Sequence, residues 1–119
     1  MQNSPKDFRK KLLGRQGEEL TVKYLTKQGY KILERNFKTP FGEADIIAFK
    51  DGTYCFVEVK TRESVEYGLP SEAVDYKKRE RYRKIAWYYC DMLREEVNCR
   101  FDIASIIGDK LEYFENAYI

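Results

Sequence analysis

Histidine is absent from the 119 residues, and its absence removes Ser-His-Asp and Cys-His catalysis together with every imidazole-ligated metal centre. Carboxylates, lysines, tyrosines and ions bound through oxygen remain as chemical resources. Cysteine is scarce as well. Cys55, Cys90 and Cys99 form no C-x-x-C pair and leave one over in any disulfide scheme, which speaks for buried thiols in a reducing compartment and against a zinc site. No apolar run approaches about 18 residues, and the opening MQNSPKDFRKK lacks the apolar segment of a signal peptide. A cytoplasmic protein without a membrane partner is therefore expected. The formal net charge of +2 is too small to imply a polyanionic partner by itself, so any such partner must be argued from where the basic residues sit.

What is present suits one globular domain spanning 1–119, with 43% hydrophobic and 35% charged residues and a length sufficient for a single core. The most informative stretch is Gly42 to Arg62, GEADIIAFKDGTYCFVEVKTR. Asp51-Gly52 is a strong signal for a two-residue type I′ hairpin, which needs positive φ at both central positions. That turn sets Lys50 against Thr53, Asp45 against Glu58 and Glu43 against Lys60. With a side-chain period of two, Glu43, Asp45, Glu58 and Lys60 fall on one face with Ile47 and Phe56, and Ala44, Ile46, Ala48, Cys55, Val57 and Val59 on the other. Carboxylates opposed across two strands lie roughly 5 Å apart at Cβ and repel unless a positive charge stands between them. A divalent cation would supply it; an ordinary Glu43–Lys60 ion pair beside two solvated acids is the alternative.

Ahead of the hairpin, Ser4 and Pro5 suit a helix start and Gly29 suits its end. Leu13, Gly17, Leu20 and Tyr24 are the expected buried stripe, with Gly14 and Gly17 allowing a close approach to a neighbour. Glu18 stands at the margin of that stripe, either reaching inward or solvated. Tyr30 to Phe37 reads as a strand. After the hairpin comes a loop, ESVEYGLPSEAV, and then a helix from Asp75 to about Arg94 whose apolar stripe is Tyr82, Ile85, Ala86, Tyr89, Met92 and Leu93. Lys78 falls on that stripe, so it either snorkels past the helix end or reaches the carboxylates. Lys77, Arg79, Arg81, Arg83 and Lys84 spread over the rest, interrupted only by Glu80. Arg100 to Ile107 is a further strand, parallel to one of the first three because a helix precedes it, and Leu111 to Phe114 is a last edge strand. The order implies an α/β fold with a mixed β-sheet flanked by two helices.

Glu18 on a first helix, Asp45, and Glu58-Val59-Lys60 in this order resemble the PD-(D/E)XK nuclease superfamily. More narrowly, G-x-x-G-E at Gly14 to Glu18, Asn36-Phe37-Lys38, G-E-x-D at Gly42 to Asp45, V-E-V-K-T-R at Val57 to Arg62, Ala73-Val74-Asp75 and Arg100-Phe101-Asp102 resemble the YraN family of small bacterial proteins, related to Holliday junction resolvases. The resemblance covers residues 11 to 107 and departs from the common pattern at Arg79, where relatives often carry Gln, and at Ala44, where the superfamily's name has Pro. It implies a restriction-endonuclease-like αβββαβ core. By the same resemblance Asp45, Glu58 and the Val59 carbonyl bind Mg²⁺ or Mn²⁺, Lys60 orients or deprotonates the attacking water, and Glu18 completes the acidic cluster. Lys78, Arg81 and Lys84 are the candidate nucleic-acid contacts, DNA being the expected partner. A metal-dependent endonuclease and a non-cleaving nucleic-acid-binding module in repair, recombination or uptake both stay open, and so does the oligomeric state, a homodimer included.

Overall fold

The computed structural model describes residues 5–62 and 76–117. Its elements are α1 (Pro5–Lys27), β1 (Lys31–Thr39), β2 (Gly42–Lys50), β3 (Thr53–Arg62), α2 (Tyr76–Leu93), β4 (Asn98–Ile107) and β5 (Lys110–Phe114). The strands form one sheet in the order β1-β2-β3-β4-β5. Pairing is antiparallel except between β3 and β4, which are parallel. This is the α/β architecture expected from the sequence, a five-stranded mixed sheet with the αβββαβ order of a restriction-endonuclease-like core and β5 added at the edge. The expected caps at Ser4 and Asp75, the Ala73-Val74-Asp75 motif and the loop before α2 lie outside the described residues.

Helix α1 ends as its sequence asks. Gly29 takes φ +90°, its N–H donates to the Thr26 carbonyl, and the Tyr30 N–H donates to the Leu25 carbonyl at 2.9 Å. That pair of bonds satisfies carbonyls the helix leaves open. Leu25 and Tyr30, joined by the second bond, are both buried in the core between α1 and the sheet with Ile46, Ala48, Cys55, Val57, Ala104 and Ile106. The other sheet face buries Ala44, Ile47, Phe56 and Ile103 against Tyr82, Ile85, Ala86 and Tyr89 of α2. Fully burying each such Leu, Ile or Phe contributes about 1.5–3 kcal/mol before its loss of entropy.

Several expected contacts shift. The fully buried line of α1 is Gly17, Thr21 and Leu25, whereas Leu13, Leu20 and Tyr24 are half-buried. Thr21 enters the core because its hydroxyl donates to the Gly17 carbonyl at 2.7 Å, so the helix itself supplies its partner. Met92 is 58% exposed. At about 100° per residue it lies roughly 70° from the centre of the α2 stripe, and Leu93 takes the inward position. The Arg100-Phe101-Asp102 motif serves the fold. Asp102 is fully buried and accepts from Arg100 Nε and Nη2, from the Tyr113 hydroxyl and from the Asn116 N–H. These bonds fasten β5 and the residues after it to β4, and they satisfy a carboxylate that would otherwise be buried at high cost.

Only one of the two expected close-approach glycines makes a close approach. A Cβ at Gly17 would meet Thr61 Oγ1 at 2.1 Å, whereas one at Gly14 would meet nothing within 4 Å. Gly17→Ala is expected to lower stability by about 1–3 kcal/mol, and Gly14→Ala to raise it by about 0.5–1 kcal/mol through helix propensity. Urea unfolding of the two variants checks this. Adding Thr61→Ala should recover much of the Gly17→Ala loss, because the clashing oxygen goes with it.

Candidate functional site

The hairpin forms as its turn residues require. Asp51 and Gly52 take φ +49° and +75°, and the register runs from Lys50 opposite Thr53 to Ile46 opposite Val57. There the paired ladder stops. In a continuing register the Val59 N–H would bond to the Ala44 carbonyl; instead it donates to Asp45 Oδ2 at 2.8 Å. The strand also turns over at this point, since Ala44 packs with Ile47 and Phe56 on the α2 side, while Ile46 packs on the α1 side. The expected placement of Ala44 with Ile46 is thereby corrected, and the expected cross-strand pairs Asp45–Glu58 and Glu43–Lys60 lie beyond the end of the ladder. Alternation fails because β2 leaves β3 at Asp45, and the carboxylate fills the gap between them.

Strand β1 distorts at the same level. Its register slips between Ile32 and Glu34, and Asn36, which lies between the pairs Arg35–Ile46 and Phe37–Ala44, takes φ +52°. Asparagine tolerates this left-handed conformation better than most residues. With its amide nitrogen turned toward them, Asn36 donates to Glu18 Oε1 at 3.2 Å and Glu43 Oε1 at 3.0 Å. That orientation is required chemically, because ionised carboxylates only accept. Glu18 is thus an inward-reaching residue and not a solvated flank. The cross-strand Glu43–Lys60 ion pair does not form: Glu43 lies with Asn36, and Lys60 with Lys78 and Glu58.

Helix α2 delivers the positive charge. Lys78 Nζ lies 3.6 Å from Glu58 Oε1, with the Glu58 side chain only 12% exposed, so Lys78 reaches the carboxylates and does not snorkel away. Burial, followed by the neighbouring Lys78, lowers Lys60 to about 8, against the opposing pull of Glu58. Burial pushes Asp45 up to about 6; the Val59 N–H opposes this, and the charges of Glu18, Glu58 and Glu43 add to it. Glu18 from α1, Asp45 from β2, Glu58 and Lys60 from β3 and Lys78 from α2 therefore share one electrostatic neighbourhood.

Arg81 and Lys84 lie farther along α2, against the β1–β2 turn. A Cβ at Gly42 would sit 2.9 Å from Arg81 Cδ, and Lys84 Nζ stands 5.8 Å from the Phe41 ring centre. Both are exposed, and the residues they lie against, Gly42 and Phe41, stand three and four positions before Asp45 in sequence. Arg79, expected on the outer surface, is half-buried with Nε out of solvent. Asn36 is the site residue that sequence reasoning used only as part of a motif. The available signal was an asparagine in mid-strand, where that residue is depleted.

The acid crowding has a stability consequence whose sign is definite. The folded state holds a proton on Asp45 up to about pH 6, while the unfolded chain releases it near the ordinary carboxylate value, so stability falls as pH rises between those values and stays lower above them. Asp45→Asn is therefore expected to be more stable than the native chain in metal-free buffer at pH 8, by at most about 3 kcal/mol. The difference should vanish below about pH 4. Thermal melts of both proteins across pH, with and without Mn²⁺, check it, the ion being expected to raise the native Tm and leave the variant's unchanged.

A sequence model of the uncharacterised protein family UPF0102 matches residues 17–106. The chain is 50% identical over 107 residues to a UPF0102 protein of Thermodesulfovibrio yellowstonii, covering 89% of this chain and 95% of that one. It is 45% identical over 115 residues to a UPF0102 protein of Dictyoglomus thermophilum, covering 91% and 98%, and 43% identical over 108 residues to one of Persephonella marina, covering 88% and 91%. The family model spans the positions of Glu18, Asp45, Glu58, Lys60 and Lys78, the relatives match over nearly their whole length, and the chain belongs to the UPF0102 family, the YraN family of the resemblance noted above.

Proposed function

We propose that this chain is a nucleic-acid-binding protein that hydrolyses DNA phosphodiester bonds as a Mg²⁺- or Mn²⁺-dependent endonuclease, with branched and single-stranded DNA as the first substrates to consider. The observation that carries this reading is the convergence of Glu18, Asp45, Glu58, Lys60 and Lys78 on the gap where β2 leaves β3.

The donor set suits a hard cation. Asp45 and Glu58 are carboxylates, the Val59 carbonyl lies next in sequence, and no histidine competes for a softer metal. Among the described residues no three acidic or thiol side chains close into a cage. Two carboxylates with the remaining positions left to water and phosphate oxygens is the way Mg²⁺ is commonly held. When bound, such an ion would polarise the phosphate and acidify a water. Lys60, lowered to about 8, can exchange a proton at Nζ closer to neutral pH than an ordinary lysine can, which suits a role on the attacking water. Lys78 brings an ammonium group to the same place and can face a phosphate oxygen. Arg81 and Lys84 would meet the DNA backbone beside the site, fixing its position without reading sequence.

One observation favours a non-cleaving binding module instead: Lys78 already gives Glu58 a counter-charge without any metal. The two readings separate experimentally. In the endonuclease reading, calorimetry detects Mn²⁺ or Mg²⁺ binding, Asp45→Asn abolishes cleavage, and DNA binding in EDTA persists or tightens because one repelling charge is gone. Lys60→Ala should lose cleavage while keeping the metal, and Lys78→Ala should affect cleavage more than affinity. A native protein that binds no divalent ion and cuts none of a panel of duplex, single-stranded, flapped and four-way DNA would falsify the endonuclease and leave the module. Replacing Arg81 and Lys84 together by Ala is expected to weaken DNA binding similarly across sequences and to reduce the slope of log K against log salt by about 2. An unchanged slope would return both residues to a solvated helix face.

A further inference from the structure

The sequence leads to an expectation of buried thiols, and for Cys55 that holds: it is fully buried on the α1 face of the sheet. Cys90 and Cys99 differ. Cys90 lies near the end of α2 and Cys99 is the second residue of β4, and their sulfurs are 3.4 Å apart. Both are half-buried. Cys90 also lines an open groove of about 1120 Å³ between the end of α2 and the β2–β3 turn, together with Trp87, Asp91, Arg94 and Asn98.

We propose that Cys90 and Cys99 are a reversible dithiol–disulfide site, oxidised by low-molecular-weight disulfides that enter through this groove. The inference is independent of the nuclease reading. Sulfurs already in van der Waals contact need an approach of little more than 1 Å to reach the disulfide length of about 2.05 Å, and the loop they close spans only Cys90 to Cys99. Cys55 cannot compete, since the sheet separates it from Cys99, which packs on the α2 side.

The two thiols have different roles. Cys90 lines the groove and attacks first, whereas burial, followed by the bond to Cys90, pushes Cys99 up to about 12 and so keeps it as a thiol at neutral pH. Its thiolate displaces one half of the oxidant, forming a mixed disulfide at Cys90 and releasing a thiolate. Cys99 then gives its proton to a released thiolate and attacks Cys90 Sγ, expelling the second half. The protein loses two hydrogens and two electrons, and one small disulfide becomes two thiols. The product staples the last turns of α2, the helix that carries Lys78, Arg81 and Lys84, to the first residues of β4.

The test is to incubate the full chain with oxidised glutathione and count thiols with Ellman's reagent after denaturation. Free thiols should fall from the three of the reduced chain to a single one, in a monomer lighter by two hydrogens. Peptide mapping should join residues 90 and 99, and dithiothreitol should reverse the change. Tm should rise by several degrees on oxidation, because the unfolded chain is constrained. Cys55→Ser should still lose two thiols. Cys99→Ser should keep a glutathione adduct on Cys90, whereas Cys90→Ser should gain little at Cys99. Persistence of all three thiols, or their loss only as adducts or intermolecular bonds, overturns the proposal, and an adduct on Cys99 in Cys90→Ser overturns the assigned order of attack.

Discussion

The bond from the Val59 N–H to the Asp45 carboxylate is the interaction on which the site depends. A sheet normally continues until its strands run out of partners, and here β2 and β3 stop pairing while both still have residues to spare. An unpaired N–H at such a break is costly if it is buried. Asp45 supplies the missing acceptor from its side chain, which lets the strands part and holds the carboxylate in the opening. Ala44 then turns toward α2, and Gly42 comes under Arg81. The break in the ladder and the site are one feature.

Around that opening, charge is arranged asymmetrically. The α1 side brings Glu18 to a carboxylate neighbourhood that Asn36 bridges with neutral N–H groups. The α2 side brings Lys78 to Glu58 and Lys60. One half is left wanting positive charge and the other carries it in excess. In the proposed reading this asymmetry has a use: the acidic half suits a hard cation, and the ammonium half suits the phosphate that shares it. It also has a cost, because a carboxylate held above its ordinary protonation range destabilises the folded state near neutral pH. The two cores, one on each face of the sheet, and the Arg100–Asp102 network must offset it.

Placement of both helices follows from the same economy of contacts. Gly17 admits Thr61 to within a distance no side chain would allow, seating α1 against β3 and so aiming Glu18, the next residue, at the opening. Tyr82, Ile85, Ala86 and Tyr89 seat α2 on the other face, and Lys78, one turn before Tyr82, follows their line inward.

Much of this was legible in the chain. Period-two alternation, the Asp51-Gly52 turn, the Gly29 stop and the helical stripe of α2 specify the elements, the hairpin register from Lys50–Thr53 to Ile46–Val57 and a parallel place for β4 beside one of the first three strands, because each depends on local backbone geometry or on regular spacing. The ordered acids and lysines marked the site for the same reason. Other features were settled only by tertiary packing. Periodicity placed Ala44 with Ile46, but a strand alternates only while its neighbour holds it flat, and the parting of β2 from β3 is a property of both strands. Spacing left Glu18 and Lys78 between solvent and site, since a side chain at the edge of a stripe goes where an oppositely charged or hydrogen-bonding partner waits. Asn36 supplied the one partner and Glu58 the other, each distant in sequence from the residue it meets. Cys90 and Cys99 likewise gave no motif. Their contact exists because the end of a helix on one face of the sheet comes down beside the start of the strand that follows it.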